Sequence, residues 1–231
     1  MQQNIQYSTI RTFPYTVFAI LVSTLFVMVS YSLYSVLLVN GEISFFQVTN
    51  GAYIVCYFIR YLCIVVCFVC LYKLSDLSKW LNLSCIMCES YMLAELASRL
   101  SKWLANVLPE RIEISLIALF INIFPSLFVM MVIVFIINGI DDLYCKMGKK
   151  KKGKSFRKLK PFWVVAAISQ MLIGALLTPI IYALAETKAY LPAGILVILF
   201  EIFYVLVALV IYFRVKGFCY EYYMYNYNKG R

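Results

Sequence analysis

Residues 52–72 read AYIVCYFIRYLCIVVCFVCLY, a run with a single ionised side chain, Arg60, close to its middle. As a helix rising 1.5 Å per residue it is about 30 Å long, the thickness of the hydrocarbon core of a bilayer. A charge at that depth costs roughly 2.5–3.5 kcal/mol or more unless it is paired or hydrated, so Arg60 marks a site of function or assembly. On a helical projection Ala52, Cys56, Arg60, Cys63, Cys67 and Cys70 fall within an arc of about 80°. Small residues let helices approach closely, and an intramembrane charge points into a bundle. Both arguments select this face as interior.

Four more runs of similar length lie outward from this one, at 13–39, 114–137, 162–185 and 191–213. The chain is 64% hydrophobic and 14% charged, against about a quarter charged in soluble domains. The expected fold class is all-α, a polytopic membrane helix bundle forming a single transmembrane domain over 1–231. It has five clear transmembrane helices plus an amphipathic or sixth spanning helix at about 80–104. The first run is as long as a full span and lacks a small-residue cleavage site, so it is expected to stay as a helix rather than be removed as a signal peptide. No repeat relates the two halves, so the inverted-repeat mark of many transporters is missing.

The segment 73–110 divides the topology. Leu93, Leu96, Leu100, Trp103 and Leu104 recur at helical spacing, with Glu95, Arg99 and Lys102 on another face. Laid in the interface, this helix leaves five spans; threaded through the bundle, it must bury Glu89 and Glu95 at considerable cost. Charge placement argues for the second. Nine of the 21 basic residues lie between Lys146 and Lys160, so this loop is expected to be cytoplasmic, with the tail 214–231 on the same side. Six spans then put the N-terminus inside as well, in keeping with Arg11, Lys73 and Lys79. Hydropathy favours five spans and the positive-inside rule six. The sequon Asn82-Leu83-Ser84, if used, would argue for five.

The net charge of +10 is distributed to orient a membrane protein, and no nucleic-acid partner is expected. Lys149, Lys150, Lys151, Lys152, Lys154, Arg157, Lys158 and Lys160 are candidates to hold anionic headgroups, at roughly 1 kcal/mol each near the surface. Asp141-Asp142 precede them. A Mg²⁺–phosphate site would need a third acidic ligand that is not nearby, so a solvated helix end is the simpler reading. The alternating Tyr223, Tyr225 and Tyr227 read as an interfacial anchor.

The chain has no histidine, which excludes His-based acid–base chemistry, Ser–His–Asp triads and His-ligated metals. Cys67-x-x-Cys70 and Cys85-x-x-Cys88 imitate a four-cysteine zinc spacing, but their apolar surroundings lack the turn of a zinc knuckle. They read as small buried residues, and no metal or cofactor is expected. Cys145 and Cys219 are juxtamembrane, where thiols can be acylated.

Glu201, centred in the last run, shares a narrow stripe with Gly194 and Ala208. Its depth matches that of Arg60, so the two are expected to pair: Arg does not deprotonate, and a carboxylate accepts it bidentately. A clamp fixing helix register is the plainer reading of such a pair; a gating or proton-coupled site is the sharper one. Asn122 and Gln170 are expected to bridge helices by hydrogen bonds worth about 1 kcal/mol. The sequence favours a non-catalytic multi-pass protein: a subunit, assembly factor or adaptor of a membrane complex that contacts anionic lipid and other membrane subunits, or self-associates. The alternative is a small ion or solute transporter or channel with Arg60 and Glu201 at the pathway. A lipid-modifying enzyme has the least support, because neither His nor a nucleophile motif is present.

Overall fold

The computed structural model describes the backbone of residues 2–40, 43–107, 112–185 and 190–229, with side chains at 8–27, 29–30, 51–52, 54–97, 100, 124–172 and 198–227. All of it is helical apart from short turns. The order is α1 (Gln2–Asn40), α2 (Ile43–Leu74), a three-ten turn (Ser75–Leu77), α3 (Lys79–Val107), α4 (Ile112–Lys146), the short α5 (Lys150–Arg157), α6 (Leu159–Ala185) and α7 (Tyr190–Lys229). The protein is a multi-span membrane helix bundle. Within the described residues, Ser8–Val27, Ile54–Leu77, Phe124–Lys146 and Ile198–Tyr227 are long and apolar enough to cross a bilayer. The expected span 162–185 falls in α6, whose side chains are described only to 172.

α3 is a member of the bundle. It packs along α4 and also on α2. Ser78 Oγ donates to Asp142 Oδ2 at 2.8 Å, and Ser84 Oγ donates to the Val132 carbonyl at 2.9 Å. Trp80 stacks on Phe135 with centroids 5.9 Å apart. These contacts run antiparallel, and Gly139 makes them possible: a Cβ there would lie 2.8 Å from Leu81 Cγ and Cδ2. The buried seam Ser78, Leu81, Cys85, Cys88, Tyr91, Glu95 steps by three and four, the spacing of one helical face. Ser84 of the sequon is fully buried in the α3–α4 contact, whereas Asn82 is exposed. Glu95 is buried, as a threaded helix requires, whereas Glu89 stays exposed.

The helices share one register. Thr12 in α1 meets Cys70 in α2, and Phe18 meets Tyr212 of α7 at 4.6 Å. Lys146 Nζ reaches the Leu77 carbonyl at 2.7 Å, and Tyr144 meets Phe218 at 5.0 Å. Arg11, Lys73, Lys79, Arg214 and Lys216 therefore gather at the same end of the bundle as the loop 146–160. α2 turns its exposed Ile54, Val55, Phe58, Ile59, Leu62, Val66 and Val69 away from this core. Of the small-residue face, Arg60, Cys67 and Cys70 are buried, Cys56 and Cys63 are half-buried and Ala52 is exposed, so the face points inward from Arg60 to Cys70.

Candidate functional site

The site is built from the middle of the bundle outward. Arg60 lies about 20 Å along α2 from Lys73, and 1% of its surface is exposed. Glu95 of α3 provides its counter-charge, with Nη2 and Oε2 3.7 Å apart, too far for a hydrogen bond but close enough for a strong ionic attraction in a low dielectric. Arg60 Nε donates to the Tyr91 hydroxyl at 3.1 Å. The guanidinium also lies over the Tyr57 ring, 4.3 Å from its centroid, and 5.6 Å from that of Tyr91, where the negative ring faces add cation–π attraction. Tyr91 and Glu95 are one turn apart, so one face of α3 supplies both the hydrogen bond and the charge.

The expected Arg60–Glu201 contact is replaced by two separate ones. Arg60 pairs with Glu95, while Glu201 Oε2 accepts a hydrogen bond from Gln170 Nε2 at 3.2 Å. Depth alone selected Glu201; the seam on α3 brings Glu95 closer. Gln170 does bridge helices, from α6 to α7. Asn122 lies outside the described side chains. Gln170 Oε1 and Glu201 Oε1 are buried without a hydrogen-bond partner.

Arg60 and Gln170 both line a cavity of about 20 Å³, together with Thr24, Ser126, Trp163 and Tyr204. That volume suits about one water molecule. Trp163 Nε1 donates to the Met130 carbonyl at 3.0 Å and Tyr204 Oη to the Leu21 carbonyl at 3.2 Å, so these two rings at the cavity are tied to backbone.

The cysteines do not assemble as a four-ligand set. Cys67 meets Cys88 across α2 and α3, whereas Cys70 turns to Thr12 and Thr16 of α1. Among the described residues, no group of three or more Cys, Asp or Glu is placed to hold a metal. Cys145 is exposed and Cys219 buried, which takes Cys219 out of reach of acylation in this conformation.

At the basic end, the loop folds back as α5. Gly148 reverses the chain at φ 76°, a conformation that costs glycine little. Phe156 and Gly153 then pack inward. Asp141 is buried, with only 4% of its surface exposed, and Arg157 Nε donates to its Oδ2 at 2.7 Å. This corrects the solvated-helix-end reading. The Asp141 carboxylate raises the pKa of the exposed Arg157 guanidinium. Asp142 takes Lys146 at 3.1 Å. Lys149 and Lys152 both clamp Glu221 of α7, at 2.9 and 2.7 Å. The tyrosine-rich segment is accordingly a helical continuation of α7, tied to the loop by Glu221, with Tyr223 stacked on Tyr227 at 6.4 Å. Of the eight headgroup candidates, Lys149, Lys152 and Arg157 are engaged internally. Among the described residues, Lys150, Lys151, Lys154, Lys158 and Lys160 make no ion pair.

Compared with protein-family models, curated proteins and solved structures, the chain matches none.

Proposed function

We propose that this chain is a non-catalytic multi-pass component of a membrane complex, a subunit, assembly factor or adaptor whose six long helices all cross the bilayer. The observation that carries this reading is the inward use of its intramembrane charge. Arg60 is held by Glu95, Tyr91 and Tyr57, beside a cavity with room for about one water and none for a solute. Such a pair fixes which helices meet and at what register. Purification in mild detergent should yield the chain with a partner at fixed stoichiometry. A lone chain that carries ions or solutes across the membrane of a pure liposome would overturn the reading.

The clustering of Arg11, Lys73, Lys79 and the 146–160 loop at one end supports a cytoplasmic location for that end and for both termini. A single-cysteine variant at Asp76 should be labelled by an impermeant thiol reagent from the same side as one at Lys151. Labelling of Asp76 from the opposite side would return α3 to the interface. The unengaged lysines of α5 fit anionic headgroups at that surface.

A second reading is a small ion transporter or channel. It draws on Glu201, which is only partly buried and whose Oε1 has no hydrogen-bond partner. Proton or cation flux abolished by Glu201→Gln would favour it.

A further inference from the structure

The outer face of α3 differs from those of α2, α6 and α7. α2 presents Phe58, Leu62, Val66 and Val69, α6 presents Phe162, Val165 and Leu172, and α7 presents Ile198, Ile202, Leu206 and Phe213. None of these rows carries an ionised side chain, as suits a surface against lipid. On α3 the exposed row is Asn82, Ile86, Glu89, Leu93, Leu96, Leu100. Glu89 lies about 15 Å along the helix from Lys79, near the level of the bilayer centre if α3 crosses. Among the described residues it makes neither an ion pair nor a hydrogen bond. A bare carboxylate in lipid at that depth costs roughly 2.5–3.5 kcal/mol or more.

The row has a second property. Its residues step by four and three in alternation, the a/d spacing of a coiled-coil seam. Leu93, Leu96 and Leu100 are 69%, 60% and 53% exposed, and Ile86 42%. α3 thus carries two seams: the inner one is filled by α2 and α4, and the outer one is also at helical spacing, with nothing among the described residues seated on it. This also accounts for the low hydropathy of α3, since a helix covered on two faces needs few lipid-compatible positions.

We propose that the outer seam of α3 docks a transmembrane helix of a different chain, one bearing a Lys or Arg that meets Glu89. This rests on the subunit reading above and specifies its docking surface. Charge selects the occupant. A second copy related by a two-fold axis along the seam would set Glu89 against Glu89, and like charges without water repel strongly. A cationic residue neutralises Glu89 while the leucine row packs at the spacing of helix pairs.

The test is site-directed photocrosslinking of the full chain in its own host's membranes, with a photoreactive phenylalanine in place of Leu93, Phe58 or Leu206. The expected result is an adduct of one defined mass from Leu93 alone, whose contacted peptide contains Lys or Arg. Adding Glu89→Lys should reduce its yield at least tenfold. Because Glu89 faces outward, the unfolding temperature of the Glu89→Lys variant in detergent should stay at the wild-type value, separating lost docking from lost folding. Adducts from Phe58 or Leu206 and none from Leu93 would overturn the seam while leaving the subunit reading intact. No adduct from any position, together with a lone chain in mild detergent, would overturn both. An adduct with a second copy, a contacted peptide without a basic residue, or a yield indifferent to Glu89→Lys would overturn the cationic partner.

Discussion

Arg60 with Glu95 in the middle of the bundle, and Arg157 with Asp141 at its basic end, apply the same chemistry in opposite surroundings. The inner pair is dry on both sides, with 1% and 8% of the two side chains exposed. In the outer pair Asp141 is buried at 6%, but Arg157 is 61% exposed. Removing one partner of the inner pair leaves a charge with no access to water, so the cost is that of an uncompensated buried ion. Removing Arg157 leaves Asp141 near enough to the surface for water to replace much of what was lost. The comparison teaches that position along the bundle, rather than the identity of the ions, decides whether a pair is a structural requirement or a surface fastening.

The largest expected effect follows from breaking the inner pair. Glu95→Leu should destabilise the protein by about 3–5 kcal/mol, read as thermal unfolding in a mild detergent. Next is the close approach that holds α3 in the bundle. Gly139→Ala drives a methyl group into Leu81 and should cost about 1–3 kcal/mol, with increased labelling of Cys85 and Cys88 by a small thiol reagent as the mark of a loosened α3. A smaller effect is expected at the outer pair. A Cβ on Gly153 would collide with Asp141 Oδ1 and lie 3.1 Å from the Asp141 backbone oxygen, so Gly153→Ala should release α5 and expose the 146–160 loop to trypsin with little change in unfolding temperature. The smallest belongs to Lys149→Ala and Lys152→Ala, each losing one partly exposed contact to Glu221 worth about 1 kcal/mol or less, a difference that should vanish in high salt.

Much of this bundle is legible in the sequence. The apolar runs give the long helices, and the projection of 52–72 gives the inward face of α2, because small residues and a charge demand the same surroundings. α3 is harder, since a hydropathy average mixes its two faces and hides a helix whose polar residues are spent on neighbours. The missed partner had a signal: Leu81, Cys85, Cys88, Tyr91 and Glu95 step along one face, and Glu95 is the carboxylate on it. Depth counting along α7 reached Glu201 instead, because depth is silent about which helices touch. Gln170 reads from the sequence as an interhelical bridge, but its partner, Glu201, depends on the rotation of α7, which the apolar run alone does not fix. The folding of 146–160 onto α4 and α7 required knowing that Gly153 lies against Asp141, a tertiary fact with no local pattern.

The most direct test of the Arg60–Glu95 pairing is a charge exchange measured by the yield of folded protein in detergent. Arg60→Glu alone should lose most of that yield. Adding Glu95→Arg should restore a substantial part of it, because the swap keeps one cation and one anion within reach of each other, whereas adding Glu201→Arg should restore none. Restoration by Glu201→Arg with none from Glu95→Arg would contradict the account.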